Sequence, residues 1–176
     1  MSDASDWTTA LAEHESAVAG LAHVLAAVPE AGWWRAPAPG AWSPAAVALH
    51  VIRSYELGLN AAEGGAGMRL RVPAPAAWLS RTLLLPRILA GGPFPRRARA
   101  PEEVRPPEAE VERLGQAAAV ARLRAVAAEA AREMRAAAQG GSGARVQHAY
   151  FGALPMLDGL RLLTAHTRHH TLGLGS

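Results

Sequence analysis

Apolar side chains recur through the first part of the chain at alternating steps of four and three, at Trp7, Leu11, Val18, Leu21, Leu25 and Val28, with His14 between Leu11 and Val18. That rhythm keeps one stripe of a helix against a neighbour and predicts a first amphipathic helix ended by Pro29 and Gly32. Asp3 and Ser5 are candidate caps, and Asp6 lies where the positive end of the helix dipole favours a carboxylate. Ser43 followed by Pro44 marks a second start, an N-cap hydroxyl and then a residue whose fixed φ suits the first helical position. This second helix should cover 44–63. On a wheel of about 100° per residue with His50 at zero, Leu57 falls at about −20°, Ser54 at about 40° and Val47 at about 60°, so His50 faces the core.

From 64 to 107 the periodicity lapses into a glycine-, proline- and arginine-rich connection, interrupted by one short helix around 77–85. Its length suits a crossover rather than a tight turn between antiparallel helices. The apolar cluster Trp78, Leu79, Leu83, Leu84 and Leu85 exceeds what a solvated loop needs and should be buried, in the monomer or at a dimer interface. A third helix is expected over 108–139, burying Val111, Leu114, Ala118 and Ala121 and stopping at Gly140 and Gly141. A loop with His148, Tyr150 and Phe151 leads to a fourth helix over 155–172. The prediction is therefore all-α: a four-helix bundle with a long crossover between helices two and three, in one domain over 1–176.

Composition narrows the chemistry. The apolar half of the 176 residues is mostly alanine and leucine, which favours helix and argues against an all-β fold. There is no cysteine, so disulfides, thiolate metal sites and a cysteine nucleophile are excluded, and any metal must take nitrogen or oxygen ligands. All 18 basic residues are arginine, and 69–105 carries a local +6 within a net +3. That segment is proline-rich and lacks interleaved lysine and aromatics, which argues against nucleic acid as a partner. The polar, acidic first residues are unlike a signal peptide and the longest apolar run, 76–90, is broken by Arg81, Pro86 and Arg87; no membrane association and a cytoplasmic location are expected.

Of seven histidines, His50, His166 and His170 form the constellation that matters. Two histidines four apart on a helix lie about 40° from each other and can aim at one ion, while a third from a neighbouring helix completes a facial set. Within the last helix, with Leu160 at zero, His170 falls at about −80°, His166 at about −120° and His169 at about 180°. His169 therefore points away from the core. His14 reads as a buried, hydrogen-bonded residue and His23 as a surface one. Glu56 lies about 120° from His50 and is no obvious general base.

Three segments resemble the DinB/YfiT-like superfamily of metalloenzymes. Arg35-Ala36-Pro37-Ala38-Pro39-Gly40-Ala41-Trp42-Ser43-Pro44, with His50 seven residues after the serine, is similar to that family's approach to helix two. His148-Ala149-Tyr150-Phe151-Gly152 resembles its histidine-proline-x-phenylalanine-glycine segment, with Ala149 in place of proline, and His166-Thr167-Arg168-His169-His170 matches its final His-x-x-x-His. Two further departures are Asp158-Gly159, where an acidic residue and tryptophan are common, and Gly173, where many members have glutamine.

The resemblance implies a homodimeric four-helix bundle holding a divalent ion, zinc, nickel or iron, on His50, His166 and His170. It further implies a thiol-dependent transferase or isomerase. With no cysteine in the chain, a low-molecular-weight thiol would enter as cosubstrate, held by an arginine of the crossover in a pocket between helices two and four; hydrolysis by activated water is the sister chemistry. The alternative is a non-enzymatic metal-binding or dimeric scaffold linked to stress response.

Overall fold

The computed structural model describes residues 4–95, 99–141 and 143–175. The chain is predominantly helical. Four long helices, α1 (Ala4–Ala27), α2 (Pro44–Ala62), α6 (Gln116–Gln139) and α7 (Met156–Leu174), pack α1 on α6 and α7, and α2 on α6 and α7. Three short helices, α3 (Ala74–Leu83), α4 (Leu85–Leu89) and α5 (Glu108–Val111), lie in the connection between α2 and α6. The expected cap Asp3 lies outside the described residues, as do Arg96 and Arg97 of the basic segment.

The predicted α1 seam is the buried one: Trp7, His14, Val18, Leu21 and Leu25 are enclosed, with Leu11 and Val28 partly so. Ser43 caps α2 as its sequence context indicates, its hydroxyl accepting from the Ala46 N–H. Leu21, Leu25, Val51, Ile52, Tyr55, Leu123 and Ala127 meet in the main core.

The continuous helix expected over 108–139 is instead two helices, broken at 112–115. The break is held from outside. Trp33, fully buried, donates Nε1–H to Leu114 O at 2.7 Å, and Trp34 donates to Val111 O at 3.2 Å beside the Leu114 N–H of the same turn, so the break leaves neither carbonyl unpaired. Gln116 then donates to Leu25 O and Val28 O, closing the C-terminus of α1. Restarting at Gly115 shifts the phase of the helix, so Ala119, Leu123, Val126, Ala127 and Ala130 are buried while Ala118 and Ala121 are exposed, opposite to the expected face.

The all-α expectation also missed a small antiparallel hairpin, β1 (Arg145–His148) and β2 (Gly152–Pro155), pairing Val146 with Leu154 and His148 with Gly152. Gly152 turns the chain at a φ of +69°, open to glycine at little cost. The crossover runs beside β1, with Met68 N–H bonded to Gln147 O and Arg71 N–H to Ala149 O.

Of the crossover's apolar cluster, Leu85 is buried with Ile88 against Phe151, Leu154 and Leu162. Trp78, Leu79 and Leu83 are 58%, 50% and 61% exposed, so the monomer does not cover them.

Gly159 explains itself by what it touches. A Cβ there would sit 2.6 Å from Val146 Cγ2 and 3.0 Å from Met134 Cε, so a bulkier residue would push the hairpin off α7. Gly159→Ala should destabilise the protein by about 1–3 kcal/mol, whereas Gly20→Ala, in the middle of α1 with open space around it, should stabilise it by about 0.5–1 kcal/mol. Denaturant titrations of the two variants check both signs.

Candidate metal centre

His50 projects from the middle of α2, and His166 and His170, one turn apart, from α7. Their rings converge: His166 Nε2 lies 3.0 Å from both His50 Nε2 and His170 Nε2, and one ligand atom from each ring falls within 4.8 Å of the others. Among the described residues this is the one group of three or more histidines and carboxylates close enough to hold a metal ion. His169 lies outside it, exposed, its ring 5.2 Å from that of Phe94.

The second partner of His50 sets its chemistry. Its Nδ1 is 2.8 Å from Val104 O, and a carbonyl only accepts, so Nδ1 carries the hydrogen and the Nε2 lone pair of the neutral ring faces His166. In a hydrogen bond between them His166 Nε2–H is then the donor, and the same nitrogen lies equally close to His170 Nε2.

Val104 sits on a 3-10 turn, Glu102–Val104, tied down by its neighbours. Arg53 of α2 donates to Glu103 O, the Arg69 N–H donates to Glu103 Oε1 at 3.0 Å, and Arg71 pairs with Glu102 and Glu103. Sequence reasoning did not find Val104, because a backbone acceptor leaves no residue signature.

Aromatic rings wall the cluster. The Trp42 ring lies 4.8 Å from that of His50, and Phe94, from the crossover, 5.8 Å from that of His166. His148, expected in a loop, stands at the end of β1 stacked 4.6 Å from Phe151, with Nδ1 accepting from the Tyr150 N–H. On the other side of α7, Tyr55, fully buried on α2, has its hydroxyl 2.8 Å from Thr167 Oγ1. Thr167 donates to Leu163 O, so Tyr55 is the donor to Thr167 and fixes α7 between the two histidines.

Electrostatics keep the rings neutral. Burial depresses His50 and His166, the latter further by His170 and His50; His170 is pushed down to about 3 by burial and then by His50 and His169. Glu56 turns away, its carboxylate paired with Arg122. A cavity of about 450 Å³ opens beside α7, bordered by Phe94, His169, Arg161 and Arg168. It lies between α1, α4 and α7, whereas the expected pocket lay on the α2 side.

A helical protein whose core carries three inward-facing imidazoles around one point is defined by this fold and site. The chain belongs to the DinB superfamily, whose family model matches residues 13–172. Comparison with curated proteins and with solved structures gave no match.

Burial also ties stability to pH. His14, 4% exposed, is held down to about 4 and His148 to about 4, each by burial, while in an unfolded chain both titrate near 6.5. Above about pH 6.5 neither state binds these protons and stability is at its full value. Between about pH 6.5 and 4 only the unfolded chain takes them up, so stability falls as pH falls, by up to about 1.4 kcal/mol per pH unit for His14. Thermal melts of metal-free protein should show Tm dropping from pH 7 to pH 5, and His14→Phe should lessen the drop; a level Tm contradicts buried neutral rings.

Proposed function

We propose that His50, His166 and His170 hold a divalent ion, zinc, nickel or iron, and that the protein is a metal-dependent enzyme activating a low-molecular-weight thiol or a water molecule for transfer or hydrolysis. The observation that supports this most is the spacing of the donor atoms. Two nitrogens each about 2.0–2.1 Å from an ion and subtending 90–110° lie about 2.9–3.4 Å apart, and His166 Nε2 is 3.0 Å from the Nε2 of each of the other two histidines. Neutral rings and a tautomer directed by Val104 O are what such a ligand set requires.

When bound, the ion supplies Lewis acidity that makes a thiol or water more acidic at neutral pH. The protein's own part is to keep three lone pairs convergent and to exclude bulk water with Trp42 and Phe94. No carboxylate joins the three histidines among the described residues, which favours an open coordination position over a closed structural one. The arginines near the site are engaged, Arg71 by Glu102 and Glu103, Arg81 by Ala153 O, and the cavity's Arg161 and Arg168 by Asp6 and Glu13, so an anionic cosubstrate would have to displace one of these partners.

The finer architecture belongs to the same reading: one four-helix-bundle domain over 1–176, cytoplasmic, and paired as a homodimer through the uncovered Trp78, Leu79 and Leu83. No helix among the described residues is long and apolar enough to cross a membrane.

Metal analysis of protein purified without an affinity tag should find about one divalent ion per chain. His50→Ala, His166→Ala and His170→Ala should each lose it, and His169→Ala should retain it. Turnover with a panel of small thiols should vanish on chelation and return with added metal. Unchanged metal content in all three variants refutes the ligand set; a metallated protein that turns over no thiol or ester favours the scaffold.

A further inference from the structure

Away from the histidine cluster, the seam between α1 and α6 holds a cavity of about 860 Å³. It exists because the facing side chains are small: Ala19 on one helix and Ala128, Ala131 and Ala136 on the other leave volume that Leu11 and Val18 do not fill. Its size is that of a small-molecule site.

Half of the six polar residues on this apolar lining are arginines. Arg124, Arg132 and Arg135 border the cavity, and Glu15 is its one acidic residue. Arg132 is engaged by Glu129 and Glu133, whereas neither Arg124 nor Arg135 has a carboxylate within ion-pair distance among the described residues. Arg135 Nε is buried without a hydrogen-bond partner, as is Nε2 of His14 at the inner edge. Both atoms are closed to water, so what the cavity offers a ligand is the outer guanidinium nitrogens of its arginines.

We propose that this seam binds an amphipathic organic monoanion, a carboxylate on a hydrocarbon body, with the carboxylate on Arg135 and the hydrocarbon against Leu11, Val18 and the alanines. The fork of a guanidinium suits a carboxylate, and the lining suits a chain or ring without further polar groups. This site is independent of the histidine cluster and of the reaction proposed there.

Octanoate is the probe, with 1-octanol as its neutral counterpart, followed by calorimetry on the full chain. Octanoate should bind one per chain with a Kd below about 1 mM, at least about tenfold more tightly than octanol. Arg135→Gln should weaken octanoate about tenfold and leave octanol unchanged. Ala128→Phe, which fills the cavity from a side chain exposed to it, should abolish both, and His166→Ala should bind octanoate as the parent does. Absence of octanoate binding, equal affinity for octanol, or undiminished binding in Ala128→Phe overturns the proposal. So does a dimer in sedimentation that Ala128→Phe alone dissociates, because the seam would then be a contact between copies.

Discussion

Three imidazole nitrogens held within 4.8 Å of one another inside a protein cannot all be protonated. Each positive charge would be desolvated and would repel the others, and no carboxylate stands among them to compensate. Without an ion the cluster therefore rests as neutral rings, and much of the surrounding structure serves to hold it. Tyr55 and Thr167 fix the turn of α7 that carries His166 and His170; Val104 directs the His50 proton away from the centre; Trp42 and Phe94 limit water. Without those supports the rings would separate, hydrate and titrate like ordinary histidines.

Much of this was legible along the chain because it depends on periodicity. The α1 seam, the Ser43-Pro44 start and the choice of His166 and His170 over His169 follow from the angle each residue takes on a helix, and tertiary packing preserves that angle. What periodicity missed was set at long range. The interruption at 112–115 rests on indole hydrogen bonds from Trp33 and Trp34, more than seventy residues earlier, and it reversed the burial of Ala118 and Ala121. The hairpin eluded the reading because four-residue strands are too short for a period of two to stand out, and its stability comes from Gly159 and Leu162 beneath it.

Alanine has two opposite effects in α6. Toward α2 its small side chains allow close approach, with Ala119, Ala127 and Ala130 fully buried beside Ile52 and Tyr55. Toward α1, where Leu11, Val18 and Ala19 stand opposite and do not fill the space, the same side chain leaves a void rimmed by arginine. One residue type thus yields dense packing or a cavity according to its partner, and His14 lies at the boundary, its ring edge-on to Tyr55 on one side and lining the void on the other.

The acceptor for His50 comes from the crossover, 54 residues further along the chain, and not from the helices that carry the cluster. The tautomer of a core imidazole therefore reports whether a surface segment is docked. When the 3-10 turn lifts, Nδ1–H loses its acceptor, the proton is free to move to the other nitrogen, and the lone pair leaves the centre. Opening of the crossover and loss of donor strength at the cluster are then one equilibrium. By linkage, whatever draws on the Nε2 lone pair holds the crossover down with the same free energy, so occupancy in the core becomes readable as slowed amide exchange at the surface.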